Sequence, residues 1–374
     1  MTTDRPVPGP PDPPDPPAPA ASTPAASTPA ASPPEAPPPP SSPLAAVPLS
    51  GRAVVSASFE LLSTAQRPLR SASFYAGWLA LATMGPLALL LWRLESVAPS
   101  AFDGLLGATS EPLDGPLGLA FLLAALGYMA VVIDARAIAA AVIAGELEGR
   151  PVRLAGAVRL ARRRFWRLVG AAALVAIPTV LGQSLGTMVA ESLVAGSPEA
   201  TAAIGVVAGI AASSPFAYML AGIVLGEVPT VESLRRSVRL ARLRPRLAIT
   251  VAAFGVASQL LLFLALTAGL DVVLRITDAI AMPPGTAGDL AAAAMIAVVV
   301  FALGTLLFTA EALAVAPQVH AFVALTHYAR GLELARVDGT ARRPWEPWLG
   351  RGFAAGVVLG VLVTVAGLRA IDAL

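Results

Sequence analysis

Residues 117–145 have the sequence LGLAFLLAALGYMAVVIDARAIAAAVIAG, in which Asp134 and Arg136 are the only charged side chains. A helix of about 20 apolar residues crosses the hydrocarbon core of a bilayer, so this longer run predicts a membrane-spanning helix. Similar apolar runs recur along the chain. We therefore expect about seven transmembrane helices, at residues 72–92, 117–145, 168–190, 201–226, 247–270, 290–326 and 352–370.

The overall composition agrees with a membrane protein. Only 13% of the residues are charged and 56% are hydrophobic, and the mean hydropathy is +0.72, whereas soluble domains are about 25% charged. We predict an all-α, polytopic helical bundle in the cytoplasmic (inner) membrane of a bacterium. Membrane lipids are its expected partners, and nucleic acid is not expected to bind.

The N-terminal segment has a different composition from the rest. Residues 1–50 contain 19 of the 35 prolines and a repeated Ala-Ala-Ser-Thr-Pro unit. Such a segment lacks the apolar residues that a core requires, so we expect a disordered cytoplasmic tail followed by a helical transmembrane domain at 51–374. Within that domain, residues 51–71 are amphipathic and too short to cross the membrane, and we expect them to lie along its surface.

The residue types exclude several kinds of chemistry. All 26 basic residues are arginines, so the chain has no lysine, and it has no cysteine. A Walker A phosphate loop, a Schiff-base lysine, an iron–sulfur cluster and a thiolate metal site are therefore excluded. We expect no cofactor, no metal site and no catalytic residue.

Two short patterns nevertheless resemble catalytic or metal sites. Residues 182–186 match G-x-S-x-G around Ser184, but a nucleophile elbow needs a strand-to-helix turn and this copy lies inside an apolar run. His320 and His327 share a helix face, but the chain supplies no third nitrogen or sulfur ligand for zinc. Neither pattern predicts a site.

The arginines are concentrated in alternate connections between the predicted spans. Connections 146–167, 226–246 and 329–351 carry 7, 6 and 5 arginines, whereas 93–115, 190–200 and 271–289 carry 1, 0 and 1. Positively charged connections remain in the cytoplasm. We therefore expect the N-terminus to be cytoplasmic and the C-terminus to lie outside.

The first two arginine-rich connections share a repeat at an offset of 80 residues, AVRLAR at 157–162 and SVRLAR at 237–242. Both predict short amphipathic cytoplasmic helices, and in the second copy Leu234, Val238 and Ala241 form the expected apolar face. The arginines either bind anionic lipid headgroups, since guanidinium groups match phosphate, or are solvated residues that only set the topology. The candidate headgroup contacts are Arg159, Arg162, Arg239 and Arg242.

Three elements together resemble one known family. They are Phe59-Glu60-Leu61-Leu62 before the first span, the connector at 233–240, and the sequence ALTHYARGLE at 324–333. The pattern resembles the membrane domain of bacterial glycerophosphodiester phosphodiesterases and related polytopic proteins, over residues 54–336. The resemblance implies a six-helix module, to which the seventh span is extra. It does not include the catalytic domain, so it implies no phosphodiesterase activity here, and Ala329 stands where the family usually has an acidic residue.

Charged residues inside the predicted spans are the candidate binding residues, namely Asp134 and Arg136 in the second span and Glu311 in the sixth. A charge near the bilayer centre costs about 2.5–3.5 kcal/mol on insertion scales, so such residues face a partner or a water-filled cavity. Arg136 and Glu311 lie at similar depths in helices of the same direction, and we predict an ion pair between them. A solute site and a structural pair have the same sequence signature.

The sequence favours a non-enzymatic membrane protein that handles a lipid or small solute, or serves as a scaffold. The alternative is a secondary transporter that uses Arg136 and Glu311, for which discontinuous helices and inverted repeats are typical. An intramembrane hydrolase is a third hypothesis. Gly352, Gly356 and Gly360 form a small-residue ridge that allows close helix approach, either within the chain or in a homo-oligomer.

The arginine distribution generates a direct test of topology. Epitope tags inserted near residues 155, 240 and 340 should be protected from external protease in intact cells, because these connections are expected in the cytoplasm. Tags near 105, 196 and 280 should be cleaved. Cleavage of the tag near 240 would contradict the predicted orientation.

Overall fold

The described part of the chain is a bundle of α-helices. The computed structural model describes residues 50–97, 115–193, 197–279, 286–326, 332 and 350–371, and these residues contain no β-strand. The helices are α1 (Gly51–Thr64), α2 (Gln66–Val97), α3 (Gly115–Leu147), α4 (Leu154–Leu193), α5 (Pro198–Ser213), α6 (Met219–Gly226), α7 (Thr230–Leu243), α8 (Pro245–Ala279), α9 (Thr286–Thr326) and α10 (Arg351–Ile371).

Seven segments are long and apolar enough to cross a membrane, which confirms the predicted fold class. They are Gln66–Leu94, Gly118–Leu147, Leu154–Ser192, Pro198–Gly226, Pro245–Ala265, Gly288–Thr326 and Arg351–Arg369. Each of them overlaps one of the seven predicted spans. The chain is therefore a multi-pass helical membrane protein.

The first arginine-rich connector is part of a spanning helix rather than a separate element. The third span was predicted to begin near residue 168, but α4 is continuous from Leu154. Arginine, leucine and alanine are strong helix formers, so the helix does not end where the apolar run ends. The second copy of the repeat, in contrast, forms the separate helix α7.

Helix α1 occupies most of the segment predicted to lie along the membrane surface. The Ser50 hydroxyl accepts a hydrogen bond from the backbone N–H of Ala53 at 3.2 Å, which caps the helix. Val54 and Ser58 are buried, and Phe59 packs edge-to-face against Phe254 of α8 at 5.9 Å between ring centroids. One face of α1 therefore covers the bundle, and its position on the membrane surface stays a prediction.

The fourth span is discontinuous. Helix α5 ends at Ser213, a 3₁₀ turn follows at Ser214–Phe216, and α6 begins at Met219. Pro215 lies in the middle of this break, where its ring is incompatible with a continuing α-helix. The interruption leaves backbone groups without partners along the span, and in a membrane such groups must bond to protein or line a cavity.

Two serines of α7 supply the missing partners. The backbone N–H of Tyr218 donates to the Ser237 Oγ at 3.1 Å, and the Ser237 hydroxyl donates to the carbonyl oxygen of Pro215 at 2.8 Å. The Ser233 hydroxyl donates to the carbonyl oxygen of Met219 at 2.7 Å. Gly222 leaves the space for this contact, because a Cβ there would collide with the Ser233 Oγ. The amphipathic connector thus holds the broken helix.

The buried face of α7 differs from the predicted one. Ala241 is buried as predicted, whereas Leu234 and Val238 are only half-buried, and Ser233 and Ser237 are buried in their place. The buried face is therefore turned from Leu234 and Val238 toward the two serines that precede them by one residue each. Hydrogen bonds to the break decide the orientation, because unpaired backbone groups in the bundle cost more than partial exposure of two aliphatic side chains.

Glycine pairs bring neighbouring spans close together. On α4, a Cβ at Gly182 or Gly186 would lie 2.6 Å from a methyl group of α5, at Ala212 or Ala208. These are the two glycines of the G-x-S-x-G pattern, so their spacing serves helix packing. The predicted ridge on α10 is likewise used within the chain, since Gly356 faces Leu79 and Thr83 of α2 and Gly360 faces the carbonyl oxygen of Ala82.

Replacement of Ser237 tests the role of α7. Ser237→Ala should destabilise the protein by about 1–3 kcal/mol, because it leaves the N–H of Tyr218 and the carbonyl of Pro215 without their partner. The measurement is the unfolding midpoint of purified protein in detergent. Ser71→Ala is the control, since the exposed Ser71 hydroxyl bonds only to its own helix, at Pro68. Equal midpoints for the two variants would contradict this role.

Candidate functional site

An ion pair joins the second and sixth spans, as predicted. The Arg136 Nε donates to Glu311 Oε2 at 2.6 Å, and the Arg136 Nη2 donates to Glu311 Oε1 at 3.3 Å. This is a bidentate pair, which is the strongest geometry for a guanidinium and a carboxylate. The Glu311 side chain is 1% exposed and that of Arg136 is 36% exposed. The carboxylate therefore lies in the interior, whereas part of the arginine side chain is exposed.

Small residues on α3 position the arginine. Ala135, Ala137 and Ala139 are each 0–1% exposed, so the faces of α3 around Arg136 pack closely against other helices. Alanine permits this close approach, and it also has the highest helix propensity. The arginine is consequently held on a rigid helix rather than on a loop.

Asp134 forms a second pair, which the sequence did not predict. It lies two residues, or about 200°, from Arg136 around α3, and its carboxylate contacts the Arg162 Nη2 of α4. Gly352 of α10 leaves room for this guanidinium, because a Cβ there would overlap it. Arg162 was a candidate headgroup contact, but the structure places its guanidinium against a buried carboxylate. The continuity of α4, which the composition does not reveal, brings it there.

The other candidate headgroup contacts lie at different positions. Arg239 and Arg242 are exposed on the outer face of α7, whereas Arg159 is half-buried on α4. On the same exposed face, Arg236 donates to Glu232 at 2.9 Å, and this hydrogen bond lowers the pKa of the Glu232 carboxyl. Binding of anionic headgroups by these arginines stays a prediction.

A cavity of about 430 Å³ adjoins the ion pair. Its walls come from α3, α4, the broken fourth span, α8 and α9, and most of them are aliphatic. The break in the fourth span contributes Phe216 and Ala217, and it ends at Met219, which also lines the cavity. The polar lining residues are Arg136, Thr179, Gln183, Ser213, Gln259 and Gln318.

Glutamines are concentrated at this cavity. The whole chain contains four glutamines and no asparagine, and three of the four, Gln183, Gln259 and Gln318, line the cavity from three different helices. Only charged residues inside the spans were predicted as binding residues, and the three glutamines were not among them. Side-chain amides within apolar runs were the available signal, because polar groups at membrane depth face the bundle interior or a cavity.

One of these amides has an unused donor. The Gln259 Nε2 is buried, and no described residue accepts a hydrogen bond from it. The Gln318 amide lies next to Gly255, where an added Cβ would be 3.8 Å from its Nε2. Gly255 therefore leaves space in the cavity wall that a larger side chain would fill. A buried donor of this kind is typical of a position that bonds to a ligand or to water.

The remaining candidates from the sequence do not join this site. Ser184 is exposed within α4, and the glycines on either side of it contact α5. His320 is buried on α9, and His327 lies outside the described residues. In the described ranges, no group of three or more His, Cys, Asp or Glu residues is arranged to hold a metal ion.

Comparisons of the chain with models of protein families, with curated proteins and with solved structures found no match. The geometry of the site is therefore the basis for a functional assignment.

A double-mutant cycle tests the ion pair. Arg136→Leu should destabilise the protein by about 3–5 kcal/mol, because it leaves the buried Glu311 carboxylate unpaired. Glu311→Leu should cost less, since the arginine is already partly exposed and can turn toward the cavity. The double replacement should recover much of the loss. Additive losses, measured as unfolding midpoints in detergent, would show that the two residues are not coupled.

Proposed function

We propose that this protein is a non-enzymatic integral membrane protein of a bacterial inner membrane, which binds a small lipid or solute in the cavity beside Arg136. The cavity is the observation that carries this proposal. Its volume of about 430 Å³ lies within the range of about 300–1,000 Å³ that is typical of small-molecule sites. The N-terminus is cytoplasmic in this proposal, as the arginine distribution predicts.

The lining of the cavity supports binding rather than structural packing alone. Small-molecule sites combine apolar walls with a few polar groups that fix the orientation of the ligand. Here aliphatic residues of five spans surround one guanidinium, three amides and two hydroxyl groups. The hydrogen bonds of the ion pair join only Arg136 and Glu311 among the described residues. The polar side chains that α4 and α8 add to the cavity wall are therefore not needed for that pair and remain to be explained.

A secondary transporter is the alternative function. The discontinuous fourth span favours it, because broken helices line the substrate sites of many transporters. The internal repeat does not distinguish the two functions. AVRLAR and SVRLAR both precede helices that are expected to run outward, so they relate parallel rather than inverted units, and transporters are built from either kind of repeat. The ion pair would then lie on the transport path.

Filling the cavity tests the proposed function. In Gly255→Leu the new side chain should occupy the space next to Gln318, while the loss of glycine favours the helix. Native mass spectrometry of protein purified from its host membrane should show a bound small molecule on the wild type and none on this variant.

Gly170→Leu is the matched control, because Gly170 is also helical and a Cβ there has no atom within 4 Å. This variant should retain the bound molecule. The same bound species on all three proteins, or no bound species on the wild type, would contradict the proposed function.

A further inference from the structure

The positive charge in the cavity wall is already neutralised by an ion pair. Of the described residues that line it, Arg136 is the only charged one. Two of its guanidinium nitrogens are directed at Glu311, at 2.6 and 3.3 Å, and that carboxylate is almost completely buried. The site therefore has no net charge, although it presents a guanidinium to the cavity.

This neutrality disfavours charged ligands. An anion next to Arg136 would leave the cavity with an excess negative charge beside a buried carboxylate, and a cation would meet no unpaired acidic group in the wall. In either case an uncompensated charge would be transferred from water to a site of low dielectric constant, which is unfavourable. A molecule without net charge avoids this cost.

The hydrogen-bonding groups define the polar part of the ligand. Each glutamine amide both donates and accepts. The hydroxyls of Thr179 and Ser213 already donate to the backbone carbonyls of Val175 and Ile210, so toward a ligand they act as acceptors. The buried Gln259 Nε2 needs an acceptor, and the Arg136 guanidinium has donor positions beyond those used by Glu311. Hydroxyl, ester and amide oxygens can accept from these donors, and hydroxyl and amide groups can also donate to the glutamine oxygens.

The walls define the remainder of the ligand. Leu168, Val175, Leu220 and Val256 are among the aliphatic residues that surround these polar groups, so an apolar body is required as well. A volume of about 430 Å³ accommodates a slender molecule rather than a second protein segment. A short alkyl chain that carries a compact polar head fits both requirements.

We propose that the cavity binds an uncharged amphiphile, whose hydroxyl, ester or amide head bonds to Arg136 and the glutamines Gln183, Gln259 and Gln318, and whose apolar chain lies against the aliphatic walls. This inference rests on the proposed function and names its ligand class. The net charge of the Arg136–Glu311 pair sets the selectivity.

Three probes with the same eight-carbon chain length test this selectivity: monocaprylin, which is uncharged, octanoate, which is anionic, and octylamine, which is cationic. Each is titrated into wild-type protein in detergent, and the affinity is obtained from the shift of the unfolding midpoint. Gly255→Leu protein, titrated in parallel, measures binding outside the cavity. The cavity-specific affinity for monocaprylin should exceed those for octanoate and octylamine at least tenfold.

A change of site charge should change the preference. Glu311→Gln retains a hydrogen-bond acceptor for Arg136 but gives the site a net positive charge, so octanoate should become the best ligand. If this variant does not fold, the relative affinities of the three probes for the wild-type cavity still test the inference.

Preference of the wild-type cavity for octanoate or octylamine, equal binding of all three probes, or no cavity-specific binding of any of them would overturn the inference. If the host-derived molecule is nevertheless lost from Gly255→Leu and retained by Gly170→Leu, the proposed function survives that failure.

Discussion

The Arg136–Glu311 ion pair is the interaction on which the interior of this bundle depends. A single charge at membrane depth costs about 2.5–3.5 kcal/mol on insertion scales, so pairing offsets part of that cost, most of all for the buried Glu311 carboxylate. The bidentate contact fixes α3 against α9. On another face of α3, Asp134 contacts Arg162 of α4. Helix α3 is thus joined to two neighbours by ion pairs, and it supplies the basic residue to one pair and the acidic residue to the other.

The polar cavity and the break in the fourth span follow from the same constraint. Polar groups inside a membrane protein must find partners within the protein or in a water-filled space. The break meets this condition through Ser233 and Ser237 of α7, and Arg136, whose side chain is partly exposed, meets it through Glu311 and the cavity that it lines. The connector helix α7 is therefore bonded to the break in the fourth span, and the break in turn supplies part of the cavity wall.

Much of the fold, but less of the site, was predictable from the sequence. The seven spans follow from the length of the apolar runs, and the pairing of Arg136 with Glu311 follows from their equal depth. Both properties can be counted along the sequence without knowing which helices are neighbours. The break at Pro215, the serine face of α7 and the Asp134–Arg162 contact depend on which helices become neighbours. The three cavity glutamines were visible as intramembrane amides, but their convergence from α4, α8 and α9 is a property of the tertiary structure.

The most direct test of the central claim, a polar cavity beside a neutral ion pair, is the reactivity of a cysteine placed in its wall. The chain has no native cysteine, so Val256→Cys introduces a single thiol that lines the cavity. A small polar methanethiosulfonate reagent should modify it rapidly, and Gly255→Leu in the same chain should suppress that reaction. Leu261→Cys, on the exposed apolar face of α8, should react slowly because it faces lipid. Equal reactivity at the two positions, unaffected by Gly255→Leu, would contradict the account.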